Sequence, residues 1–556
     1  MFIRKKLPRP HALHEPILHA DHRRPVTRRE LLSAGLMGTT GMIMAPAWLA
    51  ALLKPGNARG QTIPLDSDIQ ALLVPNQCNV SQGAGLIPFI CFDLAGGANL
   101  VGSEVIVGVQ GGQANFLSAA GYGKMGVPGN MVPSASGFTS SALGLLWHSD
   151  GAILRGIMST VSAATAAGTN GAVFPAMSEN DTDINPHNPM YGIAQVGANG
   201  SLLTLVGTEP TVSGGNSVAP PDLGGVMINS ALQPSVIDQP SDAVGLVSSG
   251  GASATALSVA VQESQERISA GTALYTPSAS DPTAAFTGVL TEPIGTAPGV
   301  QLYSSNDDPN SSPAADDAQL KNQVRCSYVK AASNSASFGN PSDLDPTQDQ
   351  KIIGGGSPIF TASQFSDPDV AMTASIMKLV LNGFAGAGTI ALSGFDYHDN
   401  TRATGETRNY QAGQMIGAVL EYAQRLGKPV MIYVISDGSL TSSSVVDTTP
   451  AGRDKLAWQG DSSAVASTFF LVYSPKGRPQ PVGGAASQQI GYFTSDGAVV
   501  STSSPGASSV EQLVEMLVLN YMSLQGVEGQ FSTLFPQQGL GSPSDQAGLI
   551  AFGSIV

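Results

Sequence analysis

The clearest fold signal in this chain is the stretch Val430-Met431-Ile432-Tyr433-Val434-Ile435-Ser436, a continuously apolar run followed at once by Asp437. Before it, a helical pattern over 407–426 stops at Gly427, ahead of the turn Lys428-Pro429. An apolar strand without polar alternation is typical of a parallel sheet that is covered on both faces. The segment therefore predicts a helix whose apolar stripe packs on a buried parallel strand; the stripe comprises Met415, Ile416, Val419, Leu420 and Ala423.

Alternating strand and helix patterns extend from this unit in both directions. Strands are predicted near 87–93, 152–157, 202–206, 389–394, 429–436 and 468–473, and further helices over 255–269, 316–332, 369–383 and 509–523. Such alternation predicts an α/β fold with a mostly parallel central sheet and helices on both faces. The Ser-, Gly- and Pro-rich residues of about 207–358 are predicted to be long surface loops or a small cap, inserted into one discontinuous domain over 59–556.

The first 58 residues have the pattern of an export signal. Arg28 and Arg29 precede an uncharged run of 23 residues over 31–53, and the small residues Gly56 and Ala58 precede the predicted cleavage point. This twin-arginine pattern predicts a periplasmic or secreted protein whose partner during export is the twin-arginine translocase. The run is also long enough for an uncleaved anchor, but its glycines and proline make it a poor permanent membrane span.

Charge excludes two classes of partner. The 556-residue chain has 26 basic and 41 acidic residues; loss of residues 1–58 removes nine basic and three acidic ones and leaves a formal net charge of about −21. So acidic a chain repels nucleic acid and anionic membrane surfaces. We therefore expect a small-molecule or protein partner and no nucleic-acid partner.

Residues that bind soft or borderline metals are few. The chain has three cysteines without the spacing of a metal site, Cys78, Cys91 and Cys326. At most one disulfide can form, and buried thiols are the expected state. Four of the seven histidines lie in the signal segment, which leaves His148, His187 and His398. His148 lies beside a predicted helix end, so we expect it to be structural.

Acidic residues adjoin the predicted strands near the edge where an open α/β sheet collects its functional groups. Asp93 ends the strand at 87–93, Asp396 and His398 follow the strand at 389–394, Asp437 follows the strand at 429–436, and Asp461 precedes the strand at 468–473. Carboxylates with an imidazole can hold zinc, calcium or magnesium, which would activate water or polarise an ester oxygen. Alternatively, each acid caps a neighbouring helix.

The run over 178–191 is a second candidate region. It combines three carboxylates, several amides and one imidazole just before a helical pattern over 192–197. A loop of this composition suits substrate binding, with Asn180 and His187 as candidate contacts, although the same residue types also build ordinary turns.

These residues resemble, in order along most of the mature chain, the motifs of an exported bacterial family, domain of unknown function 1501. The similar segments are Gly96-Gly97-Ala98-Asn99-Leu100, Pro186-His187 through Gly197, Phe395-Asp396-Tyr397-His398, Ser436-Asp437-Gly438-Ser439 and Gln459-Gly460-Asp461-Ser462. The family has a fold like alkaline phosphatases and sulfatases, and many members carry twin-arginine signals. The resemblance implies that fold, metal ligands at Asp396, His398, Asp437 and Asp461, and substrate contacts at His187, Asn180, Asp93 and Asn99.

The chain also departs from the family pattern. Asn99 replaces an acid and Ser462 replaces a histidine, so we expect weaker metal affinity. No nucleophile is assigned, because the hydroxyl residues of 134–141 precede a predicted helix without an evident base and are common helix caps. Two functions remain: a metal-assisted hydrolase of phosphate or sulfate esters with a partly degenerate site, or a non-catalytic binding or secretion-associated protein on the same fold.

Overall fold

The computed structural model describes residues 85–109, 113–177, 188–208, 234–246 and 341–556. The predicted signal segment, the helices predicted over 255–269 and 316–332, and the candidate residues Asn180 and His187 lie outside these ranges. Within them, no helix combines the length and the apolar character that crossing a bilayer requires.

Strands and helices alternate along the described chain. The strands are β1 Phe89–Leu94, β2 Thr139–Ser140, β3 Trp147–His148, β4 Thr169–Pro175, β5 Leu203–Gly207, β6 Ser235–Val236, β7 Ala385–Leu392, β8 Val430–Ser436, β9 Leu440–Asp447, β10 Lys455–Asp461 and β11 Ser467–Tyr473. The α-helices are α1 Ala119–Lys124, α2 Ala152–Thr160, α3 Ala163–Ala167, α4 Met190–Gln195, α5 Pro240–Gly245, α6 Gln350–Ile353, α7 Pro368–Leu381, α8 Ala403–Leu426, α9 Val510–Gln525, α10 Phe531–Leu534 and α11 Pro543–Ala547. Short 3₁₀ turns join several of them.

Seven of the described strands form one sheet in the order β4-β11-β8-β1-β7-β5-β6. β1 lies at the centre and is parallel to β7 on one side and to β8 on the other. Among these seven, β11 alone runs in the opposite direction to the others, and it pairs antiparallel with both β8 and β4. The predicted α/β class with a mostly parallel central sheet is therefore confirmed.

Successive side chains of the central strand enter two different hydrophobic cores, one on each face of the sheet. Ile90 and Phe92 belong to the core that includes residues of α2, α7 and α8. Phe89 and Cys91 belong to the opposite core, which is built largely by α9. Because successive side chains of a strand point to opposite faces, a continuously apolar sequence is what a doubly covered strand requires. Burial, and then the charge of Asp93, raises the pKa of the Cys91 thiol well above its usual value.

The predicted strand at 152–157 is wrong, because this segment is the start of helix α2. Ile153, Leu154 and Ile157 are buried and have the spacing of one helix face. So short an apolar segment is also compatible with a buried strand. The carboxylate of Glu104 accepts a hydrogen bond of 2.8 Å from the Ile153 N–H, which supplies a partner at the helix N-terminus.

Two parts of the sheet do not follow from the sequence patterns. β4 contains Gly171 and ends at Pro175, residues that weaken a strand prediction, yet it pairs with β11 at the sheet edge, where proline is tolerated. β6 lies within the predicted insertion at 207–358 but pairs in parallel with β5. The sheet therefore continues into a segment that we expected to be loop or cap.

Helices α2 and α8 cross at two glycines that allow their backbones to approach closely. A Cβ atom at Gly156 would lie 2.2 Å from the Tyr410 carbonyl oxygen, and one at Gly413 would lie 2.2 Å from the Ile153 carbonyl oxygen. The predicted stripe of α8, from Met415 to Ala423, is buried in the adjoining core. The crossing thus fixes α8, whose N-terminus follows the candidate site.

We expect Gly413→Ala to lower the free energy of unfolding by about 1–3 kcal/mol, because the added methyl group must push the two helices apart. Gly123→Ala is the matched control: its Cβ would meet nothing nearer than Leu456 Cδ1 at 4.0 Å. Urea unfolding of both variants measures the effect. Equal unfolding free energies for the two variants would contradict the close crossing.

Candidate metal site at the carboxyl edge of the sheet

Three adjacent parallel strands end level with one another. Leu94 of β1 is in register with Leu392 of β7 and with Ser436 of β8. The chain leaves these strands through loops that carry most of the residues predicted to form a site. Their carboxyl ends therefore meet at one edge, where open α/β sheets place their functional groups.

Asp396, His398 and Asp461 converge at this edge. The Nε2 atom of His398 lies 2.8 Å from Asp396 Oδ1 and 3.7 Å from Asp461 Oδ1. One ligand atom from each of the three residues lies within 4.8 Å of the others. The side chains are 40%, 52% and 43% exposed for His398, Asp396 and Asp461, so the group is open to solvent. The structure thus brings together three of the four predicted metal ligands.

A buried aromatic contact joins the two segments that supply these residues. Tyr397, between Asp396 and His398, packs against Trp458, three residues before Asp461, with ring centroids 5.9 Å apart. Next to this contact, the Asn400 N–H donates to the Trp458 carbonyl and the Trp458 N–H donates to the Thr401 carbonyl, each over 3.0 Å. Strand β10 is therefore held beside the 396–401 loop, which places Asp461 opposite His398.

The Tyr397 hydroxyl connects the site to the loop after β1. It accepts a hydrogen bond of 3.2 Å from the Asn99 N–H and donates one of 3.0 Å to Asn409 Oδ1. Asn409 in turn donates to Glu104 Oε1 over 3.0 Å. Burial, and then the charge of Glu104, raises the pKa of Tyr397 far above its usual value, so the hydroxyl stays protonated.

A buried cluster of charged side chains lies beneath the aromatic contact. Glu406 accepts from Arg402 Nε over 2.9 Å and from Lys455 over 2.8 Å, and it also pairs with Arg155. Burial alone would raise the pKa of Glu406, but the charges of Arg402 and Lys455 lower it. Arg402 also lies over the Trp458 ring, 4.4 Å from its centroid. The cluster therefore anchors α8 and β10 to the same support.

Asp437 fixes a loop and is not among the three residues whose ligand atoms converge. Its Oδ2 accepts a 2.9 Å hydrogen bond from the Gly96 N–H. Gly96 has a φ of +115°, and a Cβ there would lie 3.0 Å from the Asp396 backbone nitrogen and Cβ. Only glycine fits this conformation and this close approach. Asp437 thus holds the β1 loop against Asp396.

The hydroxyl of Ser436 adds a second fastening to the β1 loop. Its Oγ donates to the Leu94 carbonyl and accepts from the Ala98 N–H, each over 2.6 Å. The loop residues next to Asp396 are therefore tied to the end of β8 at two neighbouring positions. Such fixed support is what a site needs if its donors are to keep their geometry.

The remaining substrate candidates are placed differently. Asp93 is buried within β1, two residues after Cys91 and hence on the α9 side of the sheet. Asn99 is also fully buried, and its Nδ2 lies 3.4 Å from Ser439 Oγ and from the Leu440 carbonyl oxygen. Neither residue belongs to the converging group. Asn180 and His187 lie outside the described residues.

The hydroxyl-rich segment 134–141 does not precede a helix, contrary to prediction. It forms turns and strand β2, whose Thr139 pairs with His148 of β3. This segment therefore offers no helix N-terminus for a phosphate group.

No sequence pattern indicates the residues that support the site. Tyr397 and Trp458 lie beside candidate ligands, but an aromatic residue next to an acid has no distinctive pattern. The pairing of Glu406 with Arg402 is a common four-residue helical spacing. Its connection to Lys455 arises only from the fold, because the two residues are far apart in the chain.

No protein-family model, curated protein or solved structure matches this chain.

Tyr397→Phe should lower the free energy of unfolding by about 1–3 kcal/mol, because it leaves a buried N–H of Asn99 and the buried Oδ1 of Asn409 without their partner. Tyr492→Phe is the matched control, since Tyr492 is 38% exposed and its hydroxyl makes no hydrogen bond to the described residues. Urea unfolding measures both. A Tyr397→Phe variant as stable as the control would refute the role of this hydroxyl.

Proposed function

We propose that Asp396, His398 and Asp461 bind a divalent cation. The observation that carries this proposal is the convergence of one imidazole nitrogen and two carboxylate oxygens within 4.8 Å. These donors come from two chain segments held together by buried contacts, and they remain about half exposed. An accessible group of fixed donors is suited to binding an ion together with water or a substrate.

Zinc suits this donor set best. An imidazole nitrogen is a common zinc ligand, whereas calcium and magnesium are usually bound by oxygen atoms alone. Catalytic zinc sites typically have three protein ligands and one open position. Asp396, His398 and Asp461 would supply three such ligands, and the exposed side of the group would supply the open position.

We propose further that the chain is a metal-dependent hydrolase of phosphate or sulfate esters with an alkaline phosphatase-like fold and slow turnover. A bound cation would polarise an ester oxygen and stabilise developing negative charge. Asp437, Ser436 and Tyr397 would act as positioning residues, because each holds a loop that adjoins the ligands. The mostly parallel sheet and the site at its carboxyl edge support this assignment.

A non-catalytic binding role on the same fold is the second candidate, and the residue at position 99 favours it. The family motif has an acid there, whereas this chain has a buried amide that faces the Leu440 carbonyl oxygen. A carboxylate would be repelled by that carbonyl, so the surroundings fit an amide. A site with fewer charges stabilises a transferring phosphoryl or sulfuryl group less well.

The location that we propose is the periplasm or the exterior, reached through the twin-arginine translocase. Arg28 and Arg29, followed by the uncharged run over 31–53, support this proposal. A net charge of about −21 after cleavage is compatible with a freely diffusing protein that binds neither nucleic acid nor anionic membranes.

Wild-type protein purified without chelator should bind about one equivalent of zinc, and the combined change Asp396→Asn and His398→Gln should abolish this binding. Asp399→Asn is the matched control, because Asp399 lies in the same loop but caps Thr401 and Thr404 and lies outside the converging group. Titration calorimetry measures zinc binding, and circular dichroism verifies folding. Unchanged zinc affinity in a folded double variant would sink the proposed site.

Hydrolysis of aryl phosphates and aryl sulfates by the zinc-loaded protein should be slower than about 1 per second. Ser462→His should tighten zinc binding, since it adds an imidazole next to Asp461, whereas Ser463→His should not. Asn99→Asp should lower the stability of the metal-free protein, because its carboxylate would face the Leu440 carbonyl oxygen. Fast turnover by the wild type would show that the site is not degenerate.

A further inference from the structure

A pocket lies at the turn of the β9–β10 hairpin, away from the proposed metal site. Its volume is about 510 Å³, and its lining comprises Met131, Phe138, Asp150, Thr448, Thr449, Pro450, Arg453 and Asp454. Asp461 lies at the opposite end of β10, about 20 Å along the strand from Lys455. The pocket is therefore separate from the group around His398.

The turn between β9 and β10 forms one side of this pocket. The Lys455 N–H donates to the Gly452 carbonyl over 3.1 Å, and the two residues between them have positive φ angles, 58° at Arg453 and 56° at Asp454. Glycine, asparagine and aspartate usually fill such positions in hairpins, because most other side chains disfavour the left-handed region. Arg453 is therefore the unusual residue of this turn.

Arg453 has an internal partner that accounts for its presence. Its Nε lies 3.0 and 2.9 Å from the two carboxylate oxygens of Asp150, and its Nη2 also pairs with this carboxylate. Burial alone would raise the pKa of Asp150, but the hydrogen bonds from Arg453 and the charge of Lys455 lower it to about 2. Asp150 also pairs with Arg155 and Lys455, so three basic side chains share this carboxylate.

Asp454 has no such partner. Its carboxylate is exposed in the pocket and makes no hydrogen bond or ion pair with any residue that the structure describes. Aspartate is tolerated at such left-handed turn positions, so the turn itself accounts for this residue. Its carboxylate is left available to accept hydrogen bonds from a ligand in the pocket.

Phe138 and Met131 supply apolar surface to the pocket lining. The Phe138 ring stacks on His148, with centroids 5.8 Å apart. His148 Nδ1 accepts from the Asp150 N–H over 3.2 Å, so Nε2 is the nitrogen that donates to the Met131 carbonyl, over 3.0 Å. Burial and the charge of Lys455 lower the pKa of His148 to about 4, which keeps it neutral near pH 7. His148 is fully buried in β3, and its ring supports Phe138.

We propose that this pocket binds a pyranose sugar. The C–H face of such a ring would pack on Phe138 and Met131, and neighbouring hydroxyl groups would donate to the Asp454 carboxylate. The hydroxyl groups of Thr448 and Thr449 line the same pocket and add polar surface. This inference does not depend on the proposed metal site.

Saturation-transfer NMR with methyl glucoside, methyl galactoside and methyl mannoside tests the proposal on the mature wild-type chain. At least one glycoside should bind, with or without added zinc. Phe138→Ala and Asp454→Gly should each raise the Kd for that glycoside by about tenfold or more, which corresponds to the loss of one good contact. Asp496→Asn, which changes an exposed acid outside the pocket, should leave the affinity unchanged.

Asp454→Gly also separates binding from folding. Glycine relieves the left-handed conformation, so this variant should unfold at a higher urea concentration than wild type while it loses sugar binding. Failure of all three glycosides to bind would overturn the proposal, as would unchanged affinity in Asp454→Gly. Binding of inorganic phosphate or tetramethylammonium at this pocket in place of the glycosides would likewise overturn it.

Discussion

The contact between Tyr397 and Trp458 is the interaction on which the proposed metal site depends. The three candidate ligands come from a loop after β7 and from the end of β10, and neither segment alone brings the donors together. The two rings, with the backbone hydrogen bonds next to them, fix the distance between these segments. Exposed donors can keep a defined geometry only if buried contacts of this kind hold them.

Beneath the rings, the charged side chains around Glu406 form a support that is stable only when complete. Glu406 is 4% exposed and Lys455 is 1% exposed, and removal of either would take from the other one of the few partners that compensate its buried charge. Arg402 links the same cluster to the Trp458 ring. The cluster therefore fixes the β9–β10 hairpin relative to α8. Because the two proposed binding sites lie at the two ends of β10, it helps to position both.

Sequence patterns predicted the segments of this molecule in which apolar residues predominate. The strands β1, β7, β8 and β11 are mostly apolar because both faces of each are covered, and the acids in or beside them could be located for the same reason. The segment at 152–157 was mistaken for a strand because a short buried helix has a similar apolar content. Asp437 was predicted to be a ligand, but its role in fixing Gly96 depends on a loop conformation that the sequence does not reveal. The partners of Tyr397 are also distant in the chain, and no local pattern indicates them.

The Cys91 thiol should be unreactive in the folded protein because of where it lies. It lies at the centre of the sheet, covered by α9, and its pKa is raised by burial and by the charge of Asp93. Only the thiolate reacts with oxidants and electrophiles, so this sulfur is protected both by its protonation and by its location. Reaction at Cys91 requires α9 to separate from the sheet, and its rate is therefore governed by the opening of the whole core. In an oxidising compartment the folded protein would carry a reduced cysteine without any dedicated means of keeping it reduced.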